Sequence, residues 1–233
     1  MIDIHRLVES AKQYGVDLDI AAAEKIDRYC EAVRKTNEQF NLTAITDPYE
    51  MEEKNALDCL TILPFIPNNS KLADVGTGPG FPGAILKIAR PDISVTLIEA
   101  TDKKLQFAMK TANQLGFDVD GVHARGEEAG RSEFRESFDV VTSRAVALLP
   151  ALLEYTLPLV KVGGKLIAMK GSGAKEEIDL AKNALTILGG KVTGIHELTL
   201  PTAGERVILE IEKTKPCPAK YPRQSKNIRK DSL

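Results

Sequence analysis

Apolar positions in the first 69 residues recur at three- and four-residue steps, with Ile20, Ile26, Tyr29, Cys30 and Val33 on one stripe. That spacing predicts amphipathic helices, broken by turn signals at Gly15 and at Asp47-Pro48. No β-rich run occurs there. From Lys71 the pattern changes. Short β-rich runs, "KLADV", "ISVTLIEA", "VDGVHA", "FDVVTS" and "KLIAMKG", alternate with amphipathic stretches, "PGAILKIAR", "DKKLQFAMKTANQLG" and "ALLPALLEYTLPLV". Such alternation predicts right-handed crossovers on a mostly parallel sheet, a doubly wound, Rossmann-like α/β fold. One more helix, "AKEEIDLAKNALTILGG", precedes the runs "KVTGIHELTL" and "GERVILEIEK", which only Pro201 to Ala203 separate. Strands that close together predict an antiparallel pair at the sheet's edge. The chain therefore divides into a helical extension over 1–69, an α/β domain over 70–212 and a tail over 213–233. Three prolines exclude a long helix from the first half of that tail.

Composition narrows the setting. A chain of 233 residues buries about 70 to 75% of its unfolded surface and needs no covalent staples. Cys30, Cys59 and Cys217 lack C-x-x-C spacing, and three histidines do not supply a zinc cluster, so no metal is expected and a reducing compartment is. No apolar run is long enough to span a membrane, and the opening "MIDIHRLVESAKQYG" carries acids where a signal peptide needs an apolar block. A cytoplasmic, monomeric protein without a membrane partner is expected. The net charge of −2 conceals a segregation: from Lys213 onward seven Lys or Arg accompany one acid, Asp231, which leaves a surplus of eight negative charges on the remainder. A basic tail on an acidic body points to a polyanionic partner.

Candidate chemistry begins at "KLADVGTGPGFPG", Lys71 to Gly83, in which Gly78, Gly80 and Gly83 also fit the G-x-G-x-x-G fingerprint. Ligands of doubly wound sheets bind beyond the carboxyl ends of the strands, and Gly76, Gly78 and Gly80 let the first turn take positive φ and lie against one. Pro82 suits the first turn of the following helix. Glu99 ends the second strand about twenty residues on, where an acid accepts hydrogen bonds from both hydroxyls of an adenosine ribose. Nicotinamide cofactors and S-adenosylmethionine share that need. Asp74, two residues before Gly76, favours the methyl donor, because its charge suits a sulfonium and an amino group and repels a pyrophosphate. Glu127 and Glu128 follow the third strand, near where adenine should lie. His5, His123 and His196 do not stand where a hydride-transfer acid is readily built. The residues alone thus leave open an S-adenosylmethionine-dependent methyltransferase acting on RNA or on a small metabolite, and, less favoured, an NAD(P)-dependent oxidoreductase.

Six segments in order resemble one family. They are "FNLTAITDP" (Phe40 to Pro48), "DVGTGPGFPG" (Asp74 to Gly83), "HARGEE" (His123 to Glu128), "FDVVTSRA" (Phe138 to Ala145), "GER" (Gly204 to Arg206) and "YPR" (Tyr221 to Arg223). The family is the bacterial small-subunit ribosomal RNA guanine-N7 methyltransferases, also called glucose-inhibited division protein B. The resemblance implies S-adenosylmethionine as cofactor, 16S ribosomal RNA or the small ribosomal subunit as partner, and donor contacts from Gly76, Phe81, Gly126, Glu127 and Arg144. Departures from its pattern are Thr36 for Trp, Asn55 for His, Gly126 for Ala, and Lys226 and Ile228 for Gly and Pro. Guanine N7 is already nucleophilic, so no catalytic acid-base pair is expected. Because N7 and O6 are both acceptors, Asn41, Lys170 and Arg206 are candidate selectors of the base. Lys220, Arg223, Lys226, Arg229 and Lys230 are candidates for the phosphates, and the N-terminal helices for one wall of the RNA cleft.

Overall fold

The β-rich runs become seven strands: β1 (Lys71–Val75), β2 (Ser94–Glu99), β3 (Asp120–His123), β4 (Phe138–Arg144), β5 (Val160–Lys170), β6 (Gly190–Leu200) and β7 (Gly204–Lys213). A computed structural model describing residues 1–233 places them in one sheet of order β3-β2-β1-β4-β5-β7-β6. β1 to β5 are parallel, and β7 runs antiparallel to both β5 and β6. The strand order reverses between β1 and β4, and a crevice opens beyond their carboxyl ends. The antiparallel edge pair is as the pattern predicts. Its arrangement was not written in the pattern: the later strand, β7, inserts against β5 and leaves β6 outermost, half of its residues exposed.

Helices cover both faces. The first segment folds into α1 (Ile4–Gln13), α2 (Ile20–Asn37), α3 (Pro48–Met51), a π-helical turn over Glu52–Leu57 and α4 (Asp58–Leu60). The crossovers supply α5 (Gly83–Ala89), α6 (Asp102–Gln114), α7 (Gly126–Ala129), α8 (Leu149–Thr156), α9 (Ala174–Leu180) and α10 (Lys182–Leu188), and the tail supplies α11 (Ser225–Lys230). Successive strand residues point to opposite faces. Leu72, Leu97, Val140 and Ile208 pack with Ile26, Tyr29, Leu60 and Ile85 in one cluster. Ala73, Ile98, Val141 and Leu209 pack with Leu152, Leu153, Leu188 and Tyr221 in the other. The N-terminal helices thus share one core cluster with α5, α6 and one face of the sheet rather than forming an appendage.

Several local expectations need correction. Ile20 is 44% exposed; it opens α2 just after the cap, where Asp19 accepts from the Ala22 amide, and Ala23 takes its place on the stripe. The helix expected over "AKEEIDLAKNALTILGG" is broken at Ala181 into α9 and α10. Pro82 caps α5 from outside its first turn. The tail is docked on the α/β domain. Arg135 donates to the carbonyls of Cys217 and Tyr221, Glu136 accepts from the Cys217 amide, and Ile228 is fully buried.

Candidate functional site

The turn after β1 is held from three directions. Glu99 accepts from the Gly78 amide at 2.9 Å and from the Thr101 amide at 2.8 Å. Asp74 accepts from the Thr77 hydroxyl at 2.5 Å and the Gly83 amide at 2.8 Å. Tyr29, fully buried on α2, donates its hydroxyl to Pro79 O at 2.7 Å. That tyrosine explains Gly80, whose φ is +102° and whose added Cβ would lie 2.1 Å from the Tyr29 hydroxyl. Gly80 thus lacks a side chain to make room for Tyr29, and it lines neither of the two cavities beyond the turn. Gly80→Ala is expected to destabilise the fold by about 3 kcal/mol through crowding and backbone strain. Combined with Tyr29→Phe it should cost less than the two single changes summed, as urea unfolding would reveal; strict additivity would refute the clash.

Beyond the turn lies a cavity of about 330 Å³, lined among others by Gly76, Glu99, Gly126, Glu127 and Tyr155. Glu99 and Glu127 are buried, 8% and 6% exposed. A side chain at Gly126 would meet Val75 at 3.0 Å and the Tyr155 carbonyl at 3.1 Å, so its bareness keeps α7 close to the sheet. Asp74 stands behind the turn, fully buried, with Oδ1 unpartnered. Burial raises its pKa to about 6, although the Thr77 and Gly83 hydrogen bonds and Arg144 pull it down. Two buried carboxylates lining a small cavity floored by main chain, with Asp74 as a third behind the turn, suit a ligand with positive charge and hydroxyl donors.

A second cavity, about 620 Å³, adjoins the first, and Val146 and Ala147 line both. Arg144, at the end of β4, crosses it to the π-helical turn. Its guanidinium donates to Lys54 O, to Asp58 Oδ2 at 3.0 Å and to Asn55 Oδ1 at 3.0 Å, and lies 5.8 Å from the Phe81 ring centroid. Arg206 Nε approaches Asp58 Oδ1 to 3.3 Å without hydrogen-bond geometry, and that oxygen and Asn55 Nδ2 are left unpartnered. Lys170 Nζ donates to Glu177 at 2.6 Å and to Ala147 O at 2.7 Å. Each of these cations retains at least one donor for a ligand with acceptors on its edge.

The expected residues therefore fall into groups. Gly76, Glu99, Gly126 and Glu127 line the smaller cavity, and Arg144, Lys170 and Arg206 the larger. Asp74, Gly78, Gly80 and Phe81 shape the turn without lining either. Asn41 is exposed outside both, whereas Thr43 and Ile45 of the same loop line the larger one. Asn37 fixes that loop by accepting from the Leu42 and Thr43 amides. Arg223, expected at the phosphates, instead turns its side chain to Glu154, to which it donates repeatedly and whose side chain is 0% exposed. Asn55, Asp58, Tyr155 and Ser225 line the cavities unforeseen, and Arg229, expected at the phosphates, lines the smaller one. The Asn55 departure was a signal for the first two; nothing in the sequence marked Tyr155. No group of three or more His, Cys, Asp or Glu could hold a metal ion, and no helix is long and apolar enough to cross a membrane.

Known proteins carry the same architecture. The ribosomal protein L11 methylase of Lactobacillus delbrueckii subsp. bulgaricus superposes with a TM-score of 0.53 at 17% identity, over 70% of this chain and 79% of that one. TYW2 of M. jannaschii, solved in complex with AdoMet, gives 0.54 at 16%, over 65% and 73%. These likenesses establish the methyltransferase fold. In sequence, the "Ribosomal RNA small subunit methyltransferase G" of Acetivibrio thermocellus is 43% identical over 231 residues, 97% of this chain and 95% of that protein. The family model described as rRNA small subunit methyltransferase G matches residues 22–207. With four-fifths of its length matched by that model, the chain belongs to the rRNA small subunit methyltransferase G family.

Proposed function

We propose that the protein transfers a methyl group from S-adenosylmethionine to N7 of a guanine in 16S ribosomal RNA. The observation that carries this reading is the pair of adjoining cavities, one backed by carboxylates and the other edged by Arg144, Lys170 and Arg206. A positively charged donor suits the first, and a base presenting N7 and O6 suits the second. The names of the relatives support a ribosomal RNA substrate, and the AdoMet complex of the structural neighbour supports the donor.

The unpartnered Asp74 Oδ1 supports a donor bearing an amino group and a sulfonium, because a buried carboxylate oxygen otherwise lacks its counter-charge. In this reading Glu99 receives the ribose hydroxyls, Glu127 the adenine end, and Gly76 and Gly126 let main chain form the floor. Gly78 and Gly80 set the turn, and Phe81 supports the Arg144 guanidinium. The donor supplies an electrophilic methyl. The chain's task is alignment, since the N7 lone pair needs no proton removed; orientation alone supplies up to ~7 to 11 kcal/mol in favourable cases. Arg144, Lys170 and Arg206 donate to the acceptor edge of guanine. Asn41, exposed outside both cavities, is left to contact RNA beyond the base pocket.

Asp74 gives the donor site a pH signature. A cation beside Asp74 favours its ionised form, and acidification through about 6 neutralises it. Donor affinity is expected to fall by up to ~tenfold per unit below that pH. Asp74→Asn should bind weakly throughout and lose the slope; calorimetric titration of the wild type giving a flat profile would remove Asp74 from the site. The function itself is tested by transfer of labelled methyl to ribosomal RNA from cells lacking the activity, with the modified base mapped. Label on a small metabolite alone, or on another base atom, would overturn it.

A further inference from the structure

A third concavity lies outside the smaller cavity, and Arg125, Ser225 and Arg229 line both. Its remaining residues are Lys226 and Lys230, so its wall holds four cations, one hydroxyl and no acid. Arg125 comes from the loop before α7, and the others from α11. All four cations are exposed, and none joins the salt bridges of the chain. Two other cations of the tail are neutralised internally: Lys213 is buried against Glu136, and Arg223 against Glu154. The buried pair fixes the segment and the exposed ones face outward together.

This cluster is unfavourable by itself. Lys226 and Lys230 are four residues apart on one helix, where like charges repel. It also borders the cavity assigned to a positively charged donor, which bare cations would weaken. An anionic occupant removes both objections. The three cavities are contiguous, the larger joined to the smaller at Val146 and Ala147, and the smaller to the concavity at Arg125, Ser225 and Arg229. A strand with its base in the first and its phosphates in the third must cross the middle one.

We propose that Arg125, Lys226, Arg229 and Lys230 bind phosphodiester groups flanking the target nucleotide, so that the bound RNA strand lies over the donor cavity and retains the donor until the RNA leaves. The inference rests on the function proposed above and adds an order to it: the donor enters first. It also makes α11 part of two sites at once, through Ser225 and Arg229 on the donor side and Lys226 and Lys230 on the RNA side.

The test uses the full chain loaded with labelled S-adenosylmethionine and chased with unlabelled donor. The acceptor is a small-subunit rRNA transcript carrying 7-deazaguanosine, which lacks the reactive nitrogen. Dissociation of the label is expected to slow by at least ~10-fold on adding the transcript. Lys226→Glu with Lys230→Glu should abolish the slowing, leave donor affinity without RNA undiminished, and lower the salt slope of RNA binding by about 1.4, two single-strand contacts' worth. Lys226→Gln with Lys230→Gln should give an intermediate retardation, and unchanged melting temperatures would exclude misfolding. An unchanged dissociation rate in the wild type, retained slowing in the charge-reversed protein, or equal slowing by inorganic phosphate would overturn the proposal. If instead the chain fails to bind the donor, or native transcript is not methylated, the underlying functional reading fails; methylation with unretarded donor escape defeats the retention alone.

Discussion

Gly76→Val is expected to raise the dissociation constant of the methyl donor by at least ~100-fold, about 2.7 kcal/mol, and to extinguish methylation while the chain still folds. Gly76 has φ +73°, and an added Cβ would stand 2.5 Å from Val146 Cγ2. A β-branched residue there bears about 1 to 3 kcal/mol of backbone strain, and its methyl groups occupy the smaller cavity. The displaced neighbour makes the effect larger than lost volume alone. Val146 is shared by both cavities, so moving it disturbs the base pocket as well. Isothermal calorimetry with the donor, alongside a melting curve, checks the outcome. Near-native donor affinity in a folded variant would show that the cavity beside Gly76 is not the donor site.

The second large effect is on stability. Arg223→Ala strands Glu154, which is fully buried beneath the tail and accepts from the Arg223 amide, Nε and Nη2. Breaking a buried pair from one side typically costs about 3 to 5 kcal/mol, because the remaining charge has no solvent and keeps only the main-chain amide of residue 223 as a partner. For a chain of this size that corresponds to a fall in melting temperature of roughly 10 °C. Arg223→Met together with Glu154→Leu should recover most of it, since an apolar pair of similar volume avoids the desolvation. A phosphate-binding arginine behaves differently, lowering the RNA salt slope by about 0.7 with little thermal effect. Thermal melts and salt titrations of the one variant separate the two roles. Truncating the tail at Glu212 would remove this anchor with Tyr221 and Ile228, which is why charge reversal at exposed Lys226 and Lys230 is the cleaner probe.

The same chain of contacts explains how the basic tail differs from its charge count. Seven cations suggested a phosphate-tracking arm, yet Lys213 and Arg223 are internal. Lys220 lies 5.2 Å from the Tyr221 ring centroid, beside the docked part. Only the cations on α11 gather into a concavity, and the Arg125 that completes it lies about a hundred residues earlier in the chain. Charge composition sees the sum of these groups and cannot see which carboxylates lie beneath them.

The order of strands and helices was legible because it depends on periodicity within each segment. An apolar residue every second position makes a strand face, and one every third or fourth makes a helix stripe. The glycine turn and Glu99 were legible for the same reason, since both follow strand ends that the pattern fixes. Folding decided what those residues meet. Gly80 is bare for Tyr29, fifty-one residues away, and Arg144 turns to Asn55 on the π-helical turn and Asp58 at the start of α4, nearly ninety residues earlier. The placement of β7 inside β6 likewise depends on pairing with β5, which no local pattern encodes. Sequence spacing specifies local geometry. Partnership and desolvation arise only when distant segments close over one another, and they determine which acids are unpartnered, which cations are free and where the cavities join.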